Sequence, residues 1–185
     1  MKTVLRRTAV LGLLAATTAA VAQAPGGRGE GGRGGAGGGG RGRGRGRGAP
    51  IDPSLLTWEQ AVTMMAAAEA YTNERGWAMT IRIVDQNNNL LMAHRLNNVN
   101  PFTVDIAEQK TLTVVGSKMT SAQYGERVGA GEIEAIEGAV TFGGGVPVYL
   151  NGQFIGAIAA SGGTPAEDEE VARAGVEAIG ASTEM

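Results

Sequence analysis

One imidazole, His94, and no thiol are available for chemistry in this 185-residue chain. The missing cysteine excludes disulfides, thiolate zinc sites, iron–sulfur sites and a thiol nucleophile. The single histidine excludes a multi-histidine metal cage. No Ser-His-Asp set is discernible, because one histidine among many serines offers no spacing to test. Two acidic pairs read E-x-x-E, Glu134 with Glu137 and Glu167 with Glu170. Residues three apart share a helix face, so such a pair can grip a hard cation. Exposed acidic helices show the same spacing without any ligand, and Glu167 also suits a capping role. Glycine runs at Gly143-Gly144-Gly145 and Gly162-Gly163 are of the kind that can cradle phosphate. However, the phosphate-loop pattern G-x-x-x-x-G-K-S/T is absent, and turn and cap chemistry accounts for Ser161 to Thr164.

The elements that must position these groups are legible from periodicity and caps. Thr57 and Gln60 form a T-x-x-Q capping box. Behind it Ala61, Met64, Met65, Ala68 and Thr72 recur at helical spacing to about Arg75, and Gly76 ends the helix. The Met pair is core filler. Residues 77–84 alternate as a strand, residues 85–89 are a polar turn, and residues 90–95 return as a second strand carrying His94 and Arg95. After a loop over 97–102, a helix is predicted from about Thr103 to Met119, with Val104, Ala107, Thr111, Val114 and Val115 facing inward. Residues 120–139 are ambiguous, with a short acidic turn or helix at 132–137, and 140–142 reads as a short strand. Residues 146–150 and 153–160 flank Asn151-Gly152, a strong hairpin signal. Thr164, Pro165 and Glu167 mark the start of the last helix. This order predicts an antiparallel sheet flanked by helices, an α+β sandwich.

Composition divides the chain in three. Residues 1–24 carry a net +3, residues 25–49 a net +5 and the remainder a net −10, giving −2 overall. Lys2, Arg6 and Arg7 precede an apolar stretch from Thr8 to Val21, which is too short for a membrane span and is followed by Ala20-Val21-Ala22. A cleaved export signal over 1–22 is expected, and Arg6-Arg7 leaves a twin-arginine route open. In residues 25–48, 15 are Gly and six are Arg, so no apolar face can offset the entropy of ordering; residues 23–50 read as a disordered Arg/Gly-rich linker. Residues 51–185 form the folded domain, and about 130 residues suffice for an independent core. An acidic body repels phosphate, so nucleic acid is not an expected partner. The basic arm is suited to anionic envelope surfaces, or to a passive spacer role, and the expected location is periplasmic or secreted.

A longer pattern runs through the folded part. It consists of Asp105-Ile106-Ala107 with Lys110, Gly143-Gly144-Gly145-Val146-Pro147-Val148, Asn151-Gly152-Gln153-Phe154-Ile155-Gly156-Ala157-Ile158, and Ser161-Gly162-Gly163-Thr164-Pro165 with Glu167-Asp168-Glu169. In these segments the chain resembles the GlcG/HbpS family, also called the haem-degrading domain, over about Leu56 to Ile179. The resemblance implies a profilin-like fold, assembly into homo-oligomers and, as in several family members, haem binding. A related domain occurs in corrinoid adenosyltransferases.

If haem is the cofactor, its iron needs an axial ligand. His94 is the candidate metal ligand, with its second ring nitrogen fixed by a backbone carbonyl; a surface or interface histidine is the alternative. Arg95 and Lys110 are candidates to pair with the propionates, or else to form structural salt bridges. Phe102 lines an apolar pocket or simply packs its loop. Thr103, Thr111 and Tyr124 are fallback ligands. Three functional classes follow: an exported haem-binding protein for capture, buffering or sensing; an enzyme that degrades haem or modifies another cofactor; and a ligand-free oligomeric structural or partner-binding module.

Overall fold

The structure, a computed structural model, describes Asp52 and residues 55–185. The expected export signal and the whole of the expected linker lie outside the described residues. The elements in chain order are α1 (Trp58–Glu74), β1 (Thr80–Asp85), β2 (Leu90–Arg95), α2 (Phe102–Ser117), α3 (Ser121–Gly129), β3 (Gly145–Leu150), β4 (Gln153–Ser161) and α4 (Pro165–Glu177). All strand pairs are antiparallel, in the order β2-β1-β4-β3. This is the α+β arrangement that the element order predicted. Among the described residues no helix is long and apolar enough to cross a membrane.

Cross-strand register sorts the side chains onto two faces. Directly paired residues share a face and successive residues alternate. Ile81 lies opposite Ala160 and His94, and Ile83 opposite Ile158 and Met92. This face meets α1 and α4 over the larger core, which includes Met64, Ile81, Ile83, Ile158 and Val171. Thr80 lies opposite Ser161 and Arg95, and Arg82 opposite Ala159 and Ala93. That face meets α2 over a smaller core of Val84, Val114 and Ala157. Small residues on β4 let α2 approach closely.

The start signals work as read. Thr57 with Gln60 and Thr164 with Glu167 both form complete capping boxes. The five residues of the α1 stripe are all buried. Asn151 and Gly152 both take positive φ, 51° and 77°, the left-handed pair that a tight two-residue hairpin needs.

Four local expectations are corrected. β1 starts at Thr80 instead of residue 77, because its partners β2 and β4 end opposite Thr80, at Arg95 and Ser161. The ambiguous region holds α3, opened by a capping box of Thr120 and Gln123, and residues 132–137 are not helical. Residues 140–142 form no strand: the amide of Val140 donates to Thr113 Oγ1 at 2.9 Å, so a side chain of α2 replaces a strand partner. Val104 is 37% exposed and does not belong to the inner stripe of α2, whose buried side includes Thr103, Ala107, Lys110, Thr111 and Val114.

Candidate functional site

His94 stands on β2, a strand at the sheet edge, and its side chain is 51% exposed. Its face is the one covered by α1, and Glu69 of that helix meets it: His94 Nδ1 lies 2.5 Å from Glu69 Oε1. A carboxylate therefore fixes the ring, in place of the backbone carbonyl expected from the sequence. Nε2 makes no hydrogen bond among the described residues. A carboxylate on one nitrogen orients an imidazole and raises the basicity of the other, the usual support for a metal-ligating histidine.

An apolar strip leads to this pair. Trp58, Val62 and Glu69 lie on one side of α1, and Leu90 opens β2; Trp58, Val62 and Leu90 are 57%, 39% and 53% exposed. Because α1 and β1 are joined by a short connection and β1 is antiparallel to β2, β2 runs alongside α1 in the same direction. Val62 precedes Glu69 by about 10 Å of helix. Leu90 pairs with Val84 of the α2-side core across a bulge that skips Leu91. Trp58 and Val62 thus lie exposed on the side of α1 that carries Glu69, whereas Leu90, turned over by the bulge, does not share the His94 face.

The other predicted residues do not gather around His94. Arg95 follows it directly on β2 and so faces α2; its Nη1 donates to the Val99 carbonyl at 2.6 Å and pins the next loop. Phe102 begins α2 and is 73% exposed, so it is not packed into its loop. Lys110 is 1% exposed; its Nζ donates to Asp168 Oδ2 at 2.6 Å and to the Ala160 carbonyl at 2.9 Å. The structural salt bridge is therefore the role observed for Lys110, since a propionate has no access to it. Burial pushes the Lys110 ammonium below the ordinary lysine range, and the Asp168 carboxylate only partly offsets that. This pair ties α2 on one face of the sheet to α4 on the other. Gly144, with φ of 118°, makes room for it: a Cβ there would press on Lys110 Nζ and on Asp168 Cβ.

The fallback ligands are internal. Thr103 shares a 2.6 Å hydrogen bond with Thr80, Thr111 donates to the Glu108 carbonyl at 2.9 Å, and Tyr124 accepts the Ile136 amide at 2.6 Å. All three are buried. The acidic pairs do not form cation grips either. Glu134 and Glu137 lie off any helix, Glu167 caps α4, and Glu170 accepts from the Tyr71 hydroxyl at 2.9 Å. Among the described residues no group of three or more His, Asp or Glu is placed to hold a metal ion.

Sequence reasoning missed Glu69 and Asp168. Glu69 sits beside the buried position Ala68, and only the direction of β2 relative to α1 reveals that it faces His94. Asp168 lies inside an acidic run that resembles a solvated helix start.

Comparison with known proteins places this fold. Residues 56–177 match the family described as haem degrading protein HbpS-like. Protein GlcG of Escherichia coli is 28% identical over 109 residues, 58% of this chain and 81% of that protein. A 15.0 kDa protein from the dhaT-dhaS intergenic region of Citrobacter freundii is 30% identical over 123 residues, 63% of this chain and 87% of that protein. Among solved structures, a double mutant of Streptomyces reticuli HbpS superposes with a TM-score of 0.64 at 27% identity, covering 72% of this chain and 92% of that one. The PduOC:heme complex superposes with a TM-score of 0.66 at 23% identity, covering 71% of this chain and 99% of that one, a likeness of fold. The chain belongs to the HbpS-like family of haem-degrading proteins.

Proposed function

We propose that the protein is an exported haem-binding protein that captures, buffers or senses haem. The observation that carries this reading is the Glu69–His94 pair on an exposed edge, with Nε2 turned away from its carboxylate partner. In this reading His94 holds the iron, Glu69 holds His94, and Val62, on the same side of α1 as Glu69, gives the macrocycle apolar contact. Bound haem would supply an iron centre for ligand or redox sensing. A domain of the same fold is described as a complex with haem, and family membership supports the same cofactor here.

Titration of haem into the purified protein tests the proposal. A saturable Soret band is expected; no band at any haem ratio would overturn it. Loss of the band under reductant and oxygen, with a biliverdin-type product, would move the reading to haem degradation.

Export rests on Lys2, Arg6 and Arg7, the apolar stretch and the Ala20-Val21-Ala22 site. The mature chain is expected to begin at Gln23, and intact mass of secreted or periplasmic material retaining Met1 would contradict it. Assembly into a homo-oligomer is part of the same reading, since Trp58 and Val62, one turn apart on α1, are exposed apolar side chains that a second copy can cover. Light scattering giving the single-chain mass at micromolar concentration would defeat it.

A further inference from the structure

At the end of the sheet beyond Thr80 lies a pocket of about 430 Å³ that the haem reading does not use. Its walls come from the α1–β1 connection, the loop after β2, the start of α2 and the β4–α4 turn. The polar residues that line it are neutral or acidic: Trp77, Asn98, Asn100, Thr103 and Glu167. No cation is among its lining residues.

Several of these groups retain hydrogen-bonding capacity. The Asn98 amide makes no hydrogen bond among the described residues. Asn100 spends its Oδ1 on the Phe102 amide at 3.1 Å, leaving its NH2. Glu167 spends Oε2 on the Thr164 amide at 2.7 Å, leaving Oε1. Trp77 is also a lining residue; its ring packs beside Tyr71, centroids 6.4 Å apart, with the Arg75 guanidinium 5.7 Å from the ring centroid, and its indole N–H has no protein acceptor among the described residues. The remaining capacity is thus a mixture of donors and acceptors beside an aromatic surface. Glu167 and Asp168 occupy the first turn of α4, so its positive end is already compensated and an anion has little to gain there.

We propose that this pocket binds a small, neutral, polyhydroxylated ligand of about monosaccharide size. Hydroxyl groups both donate and accept, which matches the two asparagines and Glu167, and the apolar ring face of such a molecule suits indole. The site does not rest on the haem reading, because neither His94 nor Glu69 lines it. The pocket is also rigidly framed. Asp168 accepts the Gly163 amide at 2.8 Å while it holds Lys110, so the buried ion pair fixes one wall.

The test is Trp77 fluorescence in a Trp58→Phe background, titrated with D-glucose and methyl α-D-glucoside. A saturable change in the millimolar range is expected with both. Glucuronate should bind at least about fivefold more weakly than glucose, because its carboxylate meets Glu167. Asn98→Gly keeps the left-handed backbone (φ 64°) and deletes the amide; it should weaken glucose binding about three- to tenfold. Glu167→Gln keeps the capping box and should retain glucose binding. A response to glucosamine alone that Glu167→Gln abolishes would replace the proposal with an ammonium site. Tighter binding of glucuronate than glucose, no response to any neutral probe at high millimolar concentration, or a response unchanged by Asn98→Gly would each overturn it.

Discussion

Removal of the Asp168 carboxylate probes how the two helical layers are joined. In Asp168→Ala the Lys110 ammonium keeps the Ala160 carbonyl and the Phe142 ring, 5.3 Å to its centroid, but no anion within hydrogen-bond distance, and the Gly163 amide loses its acceptor. Lys110 and Asp168 side chains are 1% and 4% exposed, so water cannot replace the lost partner without opening the fold. Breaking a buried pair from one side costs about 3–5 kcal/mol. At roughly 3–5 °C per kcal/mol for a domain of this size, the midpoint of thermal unfolding should fall by about 9–25 °C. The double variant Lys110→Met/Asp168→Leu removes both charges together. It should recover most of that loss, leaving the orphaned Gly163 amide at about 1–2 kcal/mol. The pH dependence has a definite sign. The folded state holds the Lys110 proton less tightly than the unfolded state, whose lysine titrates near 10.5. Between the lowered value and 10.5 the unfolded state binds more protons, so the Lys110 contribution to stability rises with pH. Subtracting the stability curve of Lys110→Met from that of the wild type should isolate this rise. Urea unfolding of the wild type and the three variants provides the assay. A single variant within about 1 kcal/mol of the wild type, or a double variant as unstable as the single, would refute the reasoning.

Other substitutions report on individual joints. Gly144→Ala adds a Cβ at φ of 118° against Asp168 Cβ and the Ala160 carbonyl, and should cost about 2–5 kcal/mol in urea unfolding. Tyr124→Phe leaves the Ile136 amide without its acceptor; a loss of about 1–2 kcal/mol and faster hydrogen exchange at Ile136 are expected. Asn151→Ala places an ordinary side chain at φ of 51° in the β3–β4 hairpin and should cost about 1 kcal/mol, read by thermal unfolding.

Elements whose signal is local were legible in the sequence. Thr57 with Gln60, Asn151 with Gly152 and Thr164 with Glu167 each hold their information within four residues, and each took the expected role. Helix α3 carries the same T-x-x-Q signal at Thr120 and Gln123, but Gly125 and Gly129 weaken its helical pattern and obscured it. Residues 140–142 have strand-like composition, yet the Val140 backbone bonds to the side chain of Thr113, 27 positions earlier. The site was less legible for the same reason. His94 and Arg95 are adjacent in sequence and therefore on opposite faces of β2, which sends one to α1 and the other to the α2 side. Glu69 meets His94 across 25 positions and Asp168 meets Lys110 across 58, separations that no spacing rule covers.

The central claim is that His94, held by Glu69, ligates haem iron. Haem titration of wild type, His94→Ala and Glu69→Gln, followed by the Soret band, tests it most directly. His94→Ala should shift the Soret maximum and weaken binding by about tenfold or more. Glu69→Gln should keep the band position and weaken binding less, since the imidazole remains but loses its carboxylate. A Soret maximum and an affinity unchanged in His94→Ala would contradict the assignment.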